Sequence, residues 1–282
     1  MKKIKIICES MSDLPDNLQQ EYDVELLPIN IVFDGKEYKS GVDISTNDFY
    51  KMLRNSKSMP TTSQITYANF KEIFEGYLKE DNIVLYMSGS SAASGTYQSA
   101  TLAKNDIESD DIYVFDTFSI SIGGGILVQK AAEMVKQGHD IDYVINKLEE
   151  YKKKIHVFFS VDTLDYLQKG GRISSTKATI GTLLNIKPIL NIEDGLVKQK
   201  GQVRGTKKIM PALIENIKSV VDGDFSNKDV YVGYGDDLSI KDELVEKVKE
   251  ELSPRNVYTF QIGSCVASHS GPNVFGIACI DV

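Results

Sequence analysis

The densest concentration of chemically useful side chains is the run Ser88-Gly89-Ser90-Ser91-Ala92-Ala93-Ser94-Gly95-Thr96, between a strand-like and a helix-like segment. Ligands of parallel sheets bind beyond the carboxyl ends of strands, where the next helix offers free N–H groups and the positive end of its dipole. Hydroxyls add donors without a full charge, so this place suits a carboxylate held beside an apolar cavity. A helix N-cap at Ser94 behind a flexible loop explains the same residues without a ligand. Pro60-Thr61-Thr62-Ser63-Gln64 is a second hydroxyl cluster, and turn formation accounts for it as cheaply.

Leu167-Gln168-Lys169-Gly170-Gly171-Arg172-Ile173-Ser174 is a third candidate. Its two glycines suit a left-handed helix cap, which leaves Arg172 unexplained. A planar guanidinium in a tight loop pairs well with a carboxylate or phosphate, and a surface ion pair is the competing account. The fourth is Ala267-Ser268-His269-Ser270-Gly271-Pro272, just ahead of the last strand-like run. Of the three histidines, His139 follows Gly138 at a helix-ending turn and His156 alternates with apolar neighbours, so both read as structural. His269 stands among small residues, where an imidazole has room to face a ligand.

Two chemistries can use these parts. The hydroxyls and imidazole can hold a buried carboxylate. Alternatively, Ser94 as nucleophile, His269 as base and a helix N-terminus as oxyanion hole would make an acyl-ester or thioester hydrolase. Against the hydrolase, the sequence has no G-x-S-x-G elbow and marks no acidic partner for His269. A purely structural or interaction module leaves the hydroxyl clusters and His269 without a common purpose.

The elements that must position these groups are legible from apolar patterning. Residues 4–8, 24–32, 83–88 and 112–115 read as strands buried on both faces. They alternate with helices at 47–55 and 67–78, capped by Ser45 and Thr66, and at 96–104, opened by Gly95. This predicts an N-terminal α/β domain over 1–155, with a parallel sheet flanked by helices. Strands at 156–161, 187–193 and 196–203, the latter two joined by the hairpin signal Asp194-Gly195, predict a C-terminal α+β domain over 156–282. Helices at 206–221 and 239–252 and strands at 230–234, 257–262 and 274–280 complete it. No proline-rich or low-complexity linker marks the join, so the two should pack closely.

Bulk properties narrow the partners. Two domains are the natural expectation for 282 residues, and 41% hydrophobic content supplies both cores and pocket linings. Forty acidic against 32 basic residues give a net charge of -8, which repels nucleic acid and anionic membrane surfaces. Lys152, Lys153 and Lys154, the densest basic cluster, end a predicted helix, where cations suit the dipole. No apolar stretch approaches the ~20 residues of a membrane span, so stable membrane insertion is not expected and a lipid would travel inside the fold. Met1-Lys2-Lys3 leads straight into a strand without a signal-peptide core, which predicts a cytoplasmic protein. Cys8, Cys265 and Cys279 lack metal-ligand spacing and read as small buried apolar residues.

With these segments in hand, the chain resembles the DegV family of bacterial fatty-acid-binding proteins over essentially its whole length. SGTYQSA at residues 94–100 looks like that family's most recognisable motif, supported by TTSQ at 61–64, KGGRIS at 169–174 and LLNIKPIL at 183–190. The resemblance implies two α/β domains in a single DegV unit, with a fatty acid chain in an apolar tunnel. Its carboxylate would meet Thr62, Ser63, Ser94 and His269, with Arg172 near the opening. It further implies a lipid-binding carrier, not an enzyme, that serves phospholipid metabolism by presenting the carboxyl group to a separate ATP-dependent fatty acid kinase subunit. No cofactor or metal is implied, and Gly123-Gly124-Gly125 is too short for a Walker-type loop. Ile65 stands where the family commonly has proline, Cys8 and Glu9 replace a Thr-Asp pair, and Ser270 and Asn273 replace threonine and glycine. Ser270 keeps a hydroxyl, and Asn273 suits a left-handed turn.

Overall fold

The protein is described by a computed structural model covering residues 2–173 and 185–281. The motif residues Ser174, Leu183 and Leu184 lie outside the described residues. In chain order the first half comprises β1 (Lys3–Glu9), a 3-10 turn at Ser10–Ser12, α1 (Asp16–Tyr22), β2 (Glu25–Leu27), β3 (Asn30–Phe33) and β4 (Lys36–Lys39). It continues through α2 (Thr46–Asn55), β5 (Thr61–Ser63), α3 (Tyr67–Lys79), β6 (Asn82–Ser88) and α4 (Thr96–Ile107). Next come β7 (Ile112–Asp116), α5 (Ile122–Lys136) and α6 (Ile141–Lys152). The second half comprises β8 (Ile155–Ser160), α7 (Asp165–Lys169), β9 (Ile186–Glu193), β10 (Leu196–Arg204) and α8 (Ile209–Val220). It ends with β11 (Asp229–Tyr234), α9 (Leu238–Leu252), β12 (Asn256–Gln261), α10 (Ser264–Ser270) and β13 (Phe275–Ile280).

The fold is mixed α/β. The first sheet is parallel, in the order β2-β1-β6-β7. The second sheet has the order β10-β9-β8-β13-β11-β12 and is antiparallel except for β11 with β12. Helices α3 and α4 bury Phe70, Phe74, Ala100 and Ala103 on Ile7, Val84 and Tyr86 of the first sheet. Its other face meets α5 and α6, whose Ile126, Leu127 and Leu148 share one core with Leu85 and Met87 and also with Val157, Tyr231 and Ala278 of the second sheet. Helices α8 and α9 close the far face of the second sheet through Leu213, Ile217, Leu244 and Val248. The shared α5–α6 layer explains how the halves pack with no linker between them.

Helix α5 reaches that central place through a glycine. A Cβ on Gly125 would lie 2.5 Å from the Ser12 carbonyl oxygen and 2.7 Å from the Phe260 ring, so only glycine lets the helix pass. Ser45 and Thr66 cap α2 and α3 as expected, accepting from the Asp48 and Asn69 N–H groups. The β9–β10 hairpin also follows the expectation, with Asp194 and Gly195 at φ 52 and 72, as a type I′ turn requires.

Two expectations need correction. The single strand predicted over 24–32 is two, β2 and β3, because Pro28 cannot donate to a ladder and ends the run. The Thr61–Gln64 cluster, read as a turn, is mostly strand. β5 pairs antiparallel with β3, which also pairs with β4, in a small third sheet covered by α2. Two successive threonines favour extended backbone over a turn.

Candidate functional site

Residues from four segments converge on one ring of contacts. Thr62 Oγ1 on β5 lies 2.8 Å from His269 Nε2 on α10. The other ring nitrogen of His269 faces Gly170 at the end of α7, where a Cβ would press on Nδ1 and on the Tyr166 carbonyl. Two residues on, Arg172 donates from Nη1 to the Gly170 carbonyl at 2.5 Å and from Nε to the Ala93 carbonyl at 3.3 Å. Ala93 adjoins Ser94, and a Cβ on Gly95 would collide with the Gln64 side chain, which returns the ring to β5. The contacts thus bring Thr62, Ser94, Arg172 and His269 together although 207 residues separate the first from the last.

The ring opens on a cavity of about 240 Å³. Thr62, Ser63, Gln64, Ser94, Ser121, Arg172, His269 and Ser270 contribute its polar lining. The rest is almost entirely apolar, including Val157 and Phe159 of β8, Ile192 of β9, Val197 of β10, and Met11, Ile122, Ile262 and Cys265. Ser63 lines the cavity but is exposed, and its hydroxyl makes no hydrogen bond among the described residues. The other four residues expected at the headgroup are partly buried.

Burial, and secondarily the Arg172 charge, lowers the pKa of His269 to about 4, so its imidazole is neutral at neutral pH. Its Nδ1 has no hydrogen-bond partner among the described residues. Ser94 Oγ donates to Thr96 Oγ1 at 3.0 Å and accepts from the Thr96 N–H at 3.3 Å, while Gly95 takes the N-cap position of α4. The hydroxyl loop rests on Glu9, whose Oε1 accepts from the Gly89 N–H at 2.8 Å. This carboxyl is fully buried and burial raises its pKa to about 7.

A family model described as "Uncharacterised protein, DegV family COG1307" matches residues 3–282. The chain belongs to the DegV family. It is 38% identical over 277 residues to a DegV domain-containing protein of Caldanaerobacter subterraneus, an alignment that covers 98% of each chain. Among solved structures, it is 31% identical to a fatty-acid-binding DegV family protein from Thermus thermophilus, with a TM-score of 0.92 covering 99% of this chain and 100% of that one. A stearic-acid-binding protein from Eubacterium ventriosum is 28% identical with a TM-score of 0.91, covering 100% of this chain and 98% of the other.

Within this DegV chain the Ser94–His269 pair of a hydrolase is not assembled. His269 Nε2 pairs with Thr62, Ser94 pairs with Thr96, and among the described residues no acid orients Nδ1. Gly170 also corrects the sequence reading. Its φ is -72, so it is no left-handed cap, a role that falls to Gly171 at φ 67, and its small size instead makes room for His269. Asn273 keeps a negative φ and ties Arg54 to Asp162 through its side chain. Ile65, in place of proline, is buried beside Met11 and Phe70. Sequence reasoning missed Ser121, which lines the cavity, and Asp13, which bonds to it from behind, because their spacing carries no motif.

Proposed function

We propose that this DegV protein binds one long-chain fatty acid in the cavity, with the carboxylate at Thr62, Ser63, Ser94 and His269 and Arg172 near the opening. The observation that carries the reading is the cavity's division: one polar side of hydroxyls and a neutral imidazole, the remainder apolar. Each buried methylene contributes about 0.8 kcal/mol before ordering costs, so the chain supplies affinity and the polar side supplies orientation. Similar proteins described as fatty-acid-binding support it. The further reading is that the carrier, without chemistry of its own, presents the carboxylate in the cytoplasm to a separate ATP-dependent kinase subunit that forms the acyl-phosphate. In this reading 1–155 and 156–282 are the two domains, the second closing the lipid pocket.

Denaturing extraction of purified protein followed by lipid mass spectrometry tests the binding. About one fatty acid per chain is expected. No lipid in repeated preparations, together with no thermal stabilisation by added fatty acid, overturns the proposal.

A further inference from the structure

The side wall of the cavity is held by a carboxyl group that takes no part in lining it. Asp13 follows the 3-10 turn after β1 in a left-handed conformation, φ 49, and is buried. Its Oδ2 accepts from Ser121 Oγ at 2.5 Å and its Oδ1 from the Gly263 N–H at 2.8 Å. These partners begin two different helices that both line the pocket. Ser121 begins α5 and lines the cavity, with its backbone at φ 56 and ψ -132, a conformation that costs energy for a residue with a side chain. Gly263 begins α10, which carries Cys265, His269 and Ser270 into the cavity.

Two further bonds fix the same junction: Tyr50 donates to the Ile262 carbonyl at 3.0 Å, and the Ser40 and Ser264 hydroxyls lie 2.8 Å apart. Both come from the region of the third sheet and α2. Among the described residues, Asp13 joins the start of α10 to the start of α5 through hydrogen bonds to both. From Gly263 to His269 the helix rises roughly 9 Å, so a small tilt at its start moves the imidazole relative to Thr62.

We propose that Asp13 is the positioning residue of the pocket, a clasp between Ser121 and Gly263 that sets α10 so that His269 meets Thr62 and a bound lipid is retained. The inference rests on the fatty-acid reading of the cavity for its ligand, but not for its geometry. The carboxyl can serve protonated, donating to Ser121, or ionised, accepting from both partners. Burial pushes its pKa up to about 7, so the closed clasp favours the proton and opening becomes easier as pH rises through that value. Of the groups facing it, Tyr50 on α2 and Cys265 on α10 are pushed well above their usual range and stay neutral. His269 is neutral above about 4. Asp16 lines the cleft behind Asp13. Glu9 on β1, also near 7, titrates in the same range and needs its own control.

The test uses the full chain and release of a fluorescent polyene fatty acid between pH 6 and 8, alongside NMR of the imidazole signals, which only three histidines contribute. Release from the wild type should quicken as pH rises. Asp13→Asn, which can keep both bonds with the Ser121 hydroxyl reversed, should make release independent of pH, while Glu9→Gln should keep the wild-type profile. Asp13→Ala should speed release about tenfold at pH 6, the scale of a lost hydrogen bond to an acid, and shift the His269 signals. Should Asp13→Ala fail to fold, Ser121→Ala, which removes one of the two bonds, should give a smaller acceleration with the same NMR shift. A wild-type pH profile in Asp13→Asn with unmoved His269 signals overturns the clasp. Failure of the wild type to bind any fatty acid would instead sink the lipid reading, and the lipid-free NMR comparison would still decide the clasp.

Discussion

Thr62, Ser94, Arg172 and His269 stand on a short strand, a loop, a helix exit and a short helix, and meet through bonds between segments distant in sequence. Val157, Phe159, Ile192 and Val197 stand on three adjacent strands of one sheet and reach the same cavity from one continuous face. In β8 the neighbouring Phe158 points the other way, into the core under α8 and α9. The polar side is therefore held by many separate contacts and can be altered one contact at a time. The apolar side is held by sheet register, and a change there obstructs the whole path.

The largest effect should come from obstruction. Val157→Phe adds a ring at the cavity wall, and because Val157 also packs in the α5 core, denaturant unfolding of the lipid-free variant is the control that separates obstruction from misfolding. An obstacle part-way along the path denies the chain everything beyond it. Loss of about five methylenes costs about 4 kcal/mol, close to a thousandfold in affinity. Fatty-acid titration checks this, and an unchanged dissociation constant would mean that the chain does not run along β8.

Next in size is the contribution of the buried carboxyls behind the hydroxyl loop. Glu9 and Asp13 have folded pKa values near 7, raised by burial above their ordinary 4.5 and 3.8. Their favourable contribution is complete below the unfolded values and is lost as pH rises through the folded ones. Stability should therefore fall from about pH 4.5 to 7 and level off above, by up to about 3 kcal/mol for each group. Urea unfolding across that range should show the decline, and Glu9→Gln should flatten part of it. A stability that instead rises between pH 5 and 8 in the wild type, and is unaffected by Glu9→Gln, would contradict the burial argument.

The same contrast governs what the sequence discloses. Hydroxyl runs interrupt the apolar pattern, so the loops at 61–64 and 88–96 and the isolated His269 stand out without a structure. The parallel first sheet and the Asp194-Gly195 hairpin are visible for a related reason, since buried strands and I′ turns have strong local signatures. Val157 and Ile192 give no such sign, because a strand facing a cavity alternates like one facing a core. Gly170 was legible as a turn residue, but its need for smallness comes from His269, 99 positions later in the numbering. Helix α5 was hidden because three successive glycines argue against a helix, and its close approach to Ser12 and Phe260 outweighs that propensity.

The smallest effect on affinity should come from Arg172, and it separates two roles on the polar side. Ser94→Ala and His269→Ala should each weaken fatty-acid binding by about tenfold, since each removes one polar group at the proposed carboxylate site while the apolar wall keeps the chain. Arg172 spends its described hydrogen bonds on the Gly170 and Ala93 carbonyls. Its guanidinium thus spans the two loops at the polar end of the cavity, where its charge is placed to meet a second anion. Arg172→Ala should leave lipid affinity within about threefold of wild type, as for a partly exposed charge. With a cognate kinase subunit, however, acyl-phosphate formation should fall by more than the binding does, because phosphoryl transfer depends on placing charge against the new phosphate. Measuring affinity and transfer for all three variants distinguishes the roles. Equal losses in both assays for Arg172→Ala would make it one more carboxylate contact, and wild-type behaviour of Ser94→Ala and His269→Ala would place the headgroup elsewhere in the cavity.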